Sequence, residues 1–175
     1  MGRQDGSMTD HDPIDVHLET RDPQPTVAVR IQPAWDDLDI GALFGEHLGR
    51  IAEAIGPAGV APAGPPSVRY YAFGPDGVDM EIAFPVAEAV VPGLSAIADQ
   101  PAGSVGTSAL PGGELAVTIH RGPYRELGKA YAAVEAWITA NGRRPAVGAW
   151  ETYLDSPGDT PVAELRTELA WPLAD

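Results

Sequence analysis

The sequence predicts an α+β fold: a tandem β-α-β-β repeat about a pseudo-twofold, with an antiparallel sheet, both helices on one face and a ligand pocket at the seam between repeats. Two observations carry this reading. Met80-Glu81-Ile82-Ala83-Phe84-Pro85-Val86 lines up without a gap with Thr167-Glu168-Leu169-Ala170-Trp171-Pro172-Leu173, and upstream Val68-Arg69-Tyr70-Tyr71 lines up with Trp150-Glu151-Thr152-Tyr153. Each strand pair follows an amphipathic segment, which itself follows a short β-rich run. Repeat one spans residues 26–86, a linker 87–113 and repeat two 114–173. A seam between two such units is a natural place for a pocket.

Residues 1–24 are polar and acidic with no apolar period, and are expected to be a disordered tail before a domain at 25–175. Val27, Val29 and Ile31 alternate with polar or small residues, giving a strand. Asp39 is placed to cap a helix whose apolar stripe is Ile40, Leu43, Phe44, Leu48, Ile51 and Ile55, and Gly56-Pro57 ends it. Residues 59–66 form a Gly/Pro/Ala loop. Strands at 68–73 and 78–86 flank the turn Gly74-Pro75-Asp76-Gly77. The linker is low in charge and has room for another strand and a turn at Leu110-Pro111-Gly112-Gly113.

In the second unit Leu115, Val117 and Ile119 mark a strand, and Gly122-Pro123 turns the chain. A helix from Tyr124 to Asn141 places Leu127, Tyr131, Val134 and Ile138 on one face, with Gly142 as its left-handed terminator. Strands at 150–154 and 164–173 complete the unit.

At 175 residues the chain is one domain, or two small units sharing a core, and 44 % hydrophobic content supports that core. It has no cysteine, hence no disulfide or thiolate chemistry. There is no apolar signal region and no run of about 18 apolar residues, so the expectation is a cytoplasmic protein with no membrane span. A net charge of −14 disfavours nucleic acid and attracts cations, although it also serves simple solubility. Monomer and homodimer are both compatible with the sequence. His11, His17, His47 and His120 lack metal-ligand spacing, so no metal and no cofactor are expected. His120, beside the Gly-Pro turn, reads as a structural hydrogen-bonding residue.

Side-chain alternation separates two faces of the sheet. One carries Val68, Tyr70, Ala72, Met80, Ile82, Phe84, Trp150, Thr152, Leu154, Leu165, Leu169 and Trp171, and is expected beneath the helices. The other carries Arg69, Tyr71, Phe73, Glu81, Glu151, Tyr153, Arg166 and Glu168, mixing carboxylates with aromatic rings. At matched positions the repeats carry Arg69 and Glu151. These are either a polarised pocket or an ion pair across the sheet. Trp35, in a loop before the first helix, is a pocket lid or a staple.

The second half carries a recognisable combination: Ile119-His120-Arg121-Gly122-Pro123-Tyr124, a helix with Tyr131 and Trp137, Asn141-Gly142, then 150–155 and 168–173. Over residues 26–173 this resembles the GyrI-like effector-binding domain, which is also fused to DNA-binding regions in AraC-type and multidrug-responsive MerR-type regulators. The resemblance implies two β-α-β-β units with a pocket between them, and an acidic residue after the second helix facing lipophilic cations within a ring of tyrosines. The matching acid is Glu151. Tyr124, Tyr71 and Tyr153 are the candidate rings, with Arg69, Trp35 and Phe73 beside them. The two dozen residues before the domain leave no room for a helix-turn-helix, so a free-standing member is expected.

Three functions follow from the resemblance. The first is sensing or sequestration of a hydrophobic, cationic or planar aromatic small molecule. The second is a hydrolase that opens a strained electrophilic ring, such as the cyclopropane of a DNA-alkylating natural product, with Glu151 and Glu168 activating water. The third is a gyrase-inhibitor-like protein-interaction module.

Overall fold

The computed structural model describes residues 14–87 and 91–175. Nine strands and two α-helices follow in chain order: β1 (His17–Arg21), β2 (Gln24–Ile31), α1 (Ile40–Ile55), β3 (Ser67–Phe73), β4 (Val78–Pro85), β5 (Val105–Leu110), β6 (Gly113–Arg121), α2 (Leu127–Ala140), β7 (Arg144–Pro145), β8 (Trp150–Tyr153) and β9 (Arg166–Ala174). The sheet is antiparallel and runs β1-β6-β9-β8-β3-β4-β2-β5, with the short β7 beside β9. The order reads alike from both sides of the β3–β8 seam. Each half holds a β-α-β-β path, β2-α1-β3-β4 in one and β6-α2-β8-β9 in the other.

The tail expectation is corrected here. Residues 1–13 lie outside the described residues, but His17–Arg21 pairs with β6 from His17↔Val117 to Arg21↔Gly113. The strand has no clean apolar alternation because it is a charged sheet edge, where polarity protects against further pairing. It is held by its ladder and by Arg21, whose guanidinium grips Glu168 at 2.8 and 2.9 Å. β5 is its counterpart, pairing with β2 from Gln24↔Leu110 to Val29↔Val105. The strand before each unit thus docks on the other unit. The ribbon bends at Pro23 and at Gly112, where the chains nearly touch: a Cβ on Gly112 would lie 2.6 Å from Pro23 Cδ and 2.9 Å from Arg21 O.

Both helices cover one face, as the repeat predicts. Asp39 caps α1 by accepting from the Ala42 N–H at 3.0 Å. Ile51 and Ile55 bury against Val27 and Val29, whereas Leu43 and Phe44 stay partly open. In α2, Ala130, Val134 and Ile138 bury against Ala116 and Leu169. Gly142, at φ 65°, closes the helix. The far face has its own core of Leu110, Leu115, Val117, Trp150 and Ala170.

The register corrects two assignments of face. Val68 pairs with Glu151, and Arg69 pairs with Trp150. Glu151 and Tyr153 therefore share the helix side with Val68 and Tyr70, while Trp150 and Thr152 turn to the far side. The alignment of β3 with β8 is off by one residue, and one residue inverts a whole strand. A bulge between Tyr70 and Ala72 then resets β3, so that Phe73 pairs with Val78 and Ala72 with Asp79. Phe73 joins the helix side and Ala72 leaves it.

Gly112→Ala is expected to destabilise the fold by about 1–3 kcal/mol through overpacking at the ribbon crossing. Deleting residues 1–22 is expected to lower the melting temperature by several degrees, because it strips β1 and the Arg21–Glu168 pair. Thermal melts of both variants check this.

Candidate functional site

The seam strands β3 and β8 are central and share only three residue pairs, and the two helices straddle them. The space between the helices is a cleft whose floor is Tyr70 and Glu151. Two cavities share Ile40, Tyr70 and Glu151. One, of about 770 Å³, lies under Phe44, Leu48, Tyr124, Leu127 and Tyr153. The other, of about 650 Å³, lies between Leu38, Phe73 and Val78 on one side and the 145–149 loop and Trp171 on the other. The outer half of the α1 apolar stripe is open because it lines this cleft rather than the core.

Glu151 is only 5 % exposed. The Tyr131 hydroxyl donates to its Oε1 at 2.8 Å, and the Tyr153 hydroxyl to its Oε2 at 2.6 Å. No Lys or Arg among the described residues forms an ion pair with it. Burial raises its pKa above the ordinary carboxylate range, and the hydrogen bonds from Tyr153 and Tyr131 hold back part of that rise. Burial, and then the Glu151 charge, raises the pKa of Tyr70, Tyr131 and Tyr153, so all three phenols stay protonated. Tyr124 stands edge-on to Tyr153 at 5.3 Å, and Phe44 packs against the same ring at 4.9 Å. The result is a buried anion in an aromatic room, a geometry that accepts a desolvated organic cation by charge and by ring faces.

The model of the GyrI-like small-molecule-binding domain family matches residues 15–174. The chain belongs to that family. Among curated proteins none matches. Among solved structures, the C-terminal domain of EcmrR superposes with a TM-score of 0.72 at 20 % identity, over 93 % of this chain and 98 % of that one. EcmrR in complex with DNA gives the same TM-score at 18 % identity over 93 % of this chain, which spans only 58 % of that chain. A hydrolase encoded by lin2189 from Listeria innocua aligns with a TM-score of 0.64 at 14 % identity, over 94 % of both chains. SAV2435 bound to tetraphenylphosphonium aligns with a TM-score of 0.61 at 12 % identity, over 92 % of this chain and 94 % of that one. At these identities the likeness is one of fold. Among the described residues no helix is long and apolar enough to cross a membrane.

Within this GyrI-like domain Glu151, Tyr153 and Tyr124 border one cleft, on the helix side of the sheet rather than the face expected for Glu151 and Tyr153. Of the other candidate residues, Phe73 and Tyr71 border the smaller cavity, Trp35 backs Phe73 at its rim, and Glu168 and Arg69 lie outside both cavities. Glu168 is on the far face, paired with Arg21, and does not approach Glu151. Arg69 is also on the far face. Its Nε and Nη1 donate to the carbonyls of Gly148 and Ala109, both at 3.3 Å, and so seat the loop that walls the smaller cavity. The Arg69–Glu151 ion pair does not form. Tyr71 donates to Glu81 at 2.9 Å, beneath Arg30 and Arg69. Burial and the Glu81 charge push its pKa up to about 12. Trp35 donates to the Gly74 carbonyl at 3.1 Å and stacks on Phe73.

Two site residues, Tyr70 and Tyr131, read in the sequence as packing residues. The signal available was chemical: a tyrosine in an otherwise apolar stripe needs a partner for its hydroxyl. His120 does serve a structural bond, with Nε2 donating to the Pro123 carbonyl at 3.1 Å.

The sign of the Glu151 shift sets a stability test. Its folded pKa is raised, so the folded chain keeps a proton that the unfolded chain has already lost. Stability falls as pH rises through that window. Glu151→Gln is therefore expected to raise the melting temperature of the ligand-free protein at pH 7–8, by about 2–4 °C per kcal/mol relieved. The gap should close below about pH 4, where Glu151 is protonated in both states.

Proposed function

We propose that this domain binds a lipophilic organic cation bearing aromatic groups, with Glu151 as its counter-charge. The observation that carries the reading is the buried carboxylate with phenols but, among the described residues, no Lys or Arg as partners. A charge in that state is costly, and a cation brought in by a ligand relieves the cost while its apolar body fills the cleft. The fold likeness to SAV2435, which was seen with tetraphenylphosphonium, agrees with this chemistry. The net charge of −14 adds long-range attraction for a cation. Sensing and sequestration both follow from such binding.

Hydrolysis is a second reading, favoured by the raised proton affinity of Glu151 next to hydroxyl donors. Glu151 would accept a proton from water as the water oxygen bonds to a strained-ring carbon. The ring C–C bond would break, its electron pair moving into a conjugated carbonyl of the substrate, and the proton would then pass to the product. Glu168 plays no part, since it faces the other side of the sheet.

Titration with tetraphenylphosphonium should show Glu151→Gln binding about thirtyfold more weakly or worse, roughly 2 kcal/mol. Wild-type affinity should fall as the pH drops through the raised Glu151 pKa, while affinity for an uncharged tetraphenyl analogue stays flat. Equal affinity in the two proteins would remove Glu151 from the site. Turnover of a cyclopropane substrate by wild type, lost in Glu151→Gln, would establish the hydrolase reading instead.

A further inference from the structure

One aromatic feature runs from the floor of the cleft to the surface. Tyr70, beside Glu151, stacks with Phe73 at 5.4 Å and 23° between ring planes, and Phe73 stacks with Trp35 at 6.5 Å and 17°. Rings at these separations and angles form offset steps rather than an eclipsed pile. Phe73 is 65 % exposed and Trp35 46 %, so the outer two steps keep most of their surface open. Neither ring is needed for the core, yet both are held in place. The β3 bulge turns Phe73 to the cleft side, and the Trp35 indole N–H is fixed on the Gly74 carbonyl.

The wall facing this ladder is also fixed. Trp171 Nε1 donates to the Ala146 carbonyl at 3.0 Å, and the Ala146 N–H bonds the Pro172 carbonyl at 2.8 Å. Beside it Val147 stands 71 % exposed at the same mouth. The smaller cavity is therefore a slot with the carboxylate at its inner end and an open aromatic step at its outer end.

We infer that the slot is an outer subsite that selects extended, flat aromatic cations over compact, propeller-shaped ones. This rests on the reading of Glu151 as the cation's partner. A ring attached directly to the charged atom reaches only the Tyr70 step. A fused or linked second ring lies along the ladder and meets Phe73, with Trp35 as its outer support. The class implied is a cationic polycyclic dye or drug with an apolar arm reaching away from its charge.

The test measures ethidium and tetraphenylphosphonium binding to wild type, Phe73→Ala, Trp35→Phe and Glu151→Gln, with melting curves as a folding control. Phe73→Ala is expected to weaken ethidium about tenfold and tetraphenylphosphonium less than twofold. Trp35→Phe keeps a ring at the outer step and should change ethidium affinity less than threefold. Equal losses for both ligands in Phe73→Ala, or no loss for either, would overturn the subsite. The Glu151→Gln arm separates the two failures. If it weakens both ligands while Phe73→Ala weakens neither, only the subsite falls. If Glu151→Gln weakens neither, the underlying site reading falls with it.

Discussion

The burial of one carboxylate governs the rest of this structure. Glu151 sits on the central strand of an apolar sheet face, and a charge there has lost most of its hydration. Two phenol hydroxyls replace part of it. They come from different elements, Tyr131 from α2 and Tyr153 from β8 itself, so the acid stays in place only while helix and sheet keep their spacing. The cleft is thus tied to its floor through these bonds. That burial runs against stability: the fold holds this carboxylate more easily in protonated form.

The topology explains why such a position exists. The last strand of each repeat lies within its own half, while the strand before each repeat crosses to edge the other half. This leaves β3 and β8 paired at the centre, with only three residue pairs between them. Both helices are kept apart there by the width of two seam strands, and the space between them is not filled by core residues. The α1 stripe divides its labour accordingly. Ile51 and Ile55 pack the sheet, while Ile40 and Phe44 line the opening.

Much of this was legible in the sequence, and the failures have specific causes. The gapless match of 80–86 with 167–173 gives strands that face the same way, because Met80 and Thr167 both occupy the helix side. The helices, the 74–77 turn and the Gly142 terminator follow from local chemistry. The face of β8 did not, since an alignment over four residues does not fix a register and the repeat paired Glu151 with Arg69. The ladder instead makes Val68 the equivalent of Glu151 and Tyr70 the equivalent of Tyr153. Phe73 escaped because a bulge leaves no mark in a period-two pattern. Strand β1 escaped because an edge strand held by backbone bonds and one ion pair carries no hydrophobic period. Glu151 itself was reached through family resemblance, and its placement on a strand beside tyrosines was visible, but its burial was not.

A comparison within the molecule sets Glu151 apart from another buried acid. Glu81 is buried just as deeply, at 1 % exposure, and it too accepts a tyrosine hydroxyl. Its neighbours across the sheet are Arg30 on one side and Arg69 on the other, and both guanidiniums lie over the Tyr71 ring that bonds it. Glu151 has the same local plan with the charges removed: its cross-strand neighbours are Val68 and Leu169. Two buried carboxylates on opposite faces of one sheet thus have opposite electrostatic surroundings. The first has cations from its own fold close by, and it borders no cavity among those described around the cleft. The second pairs with no Lys or Arg among the described residues, and it opens onto the cleft on both sides. The overall acidity of the chain draws cations of every kind toward the surface, but it does not choose between them. Under the proposed reading the choice falls where a charge lacks a cationic partner, because there an arriving cation gains most from the protein for what it loses in leaving water.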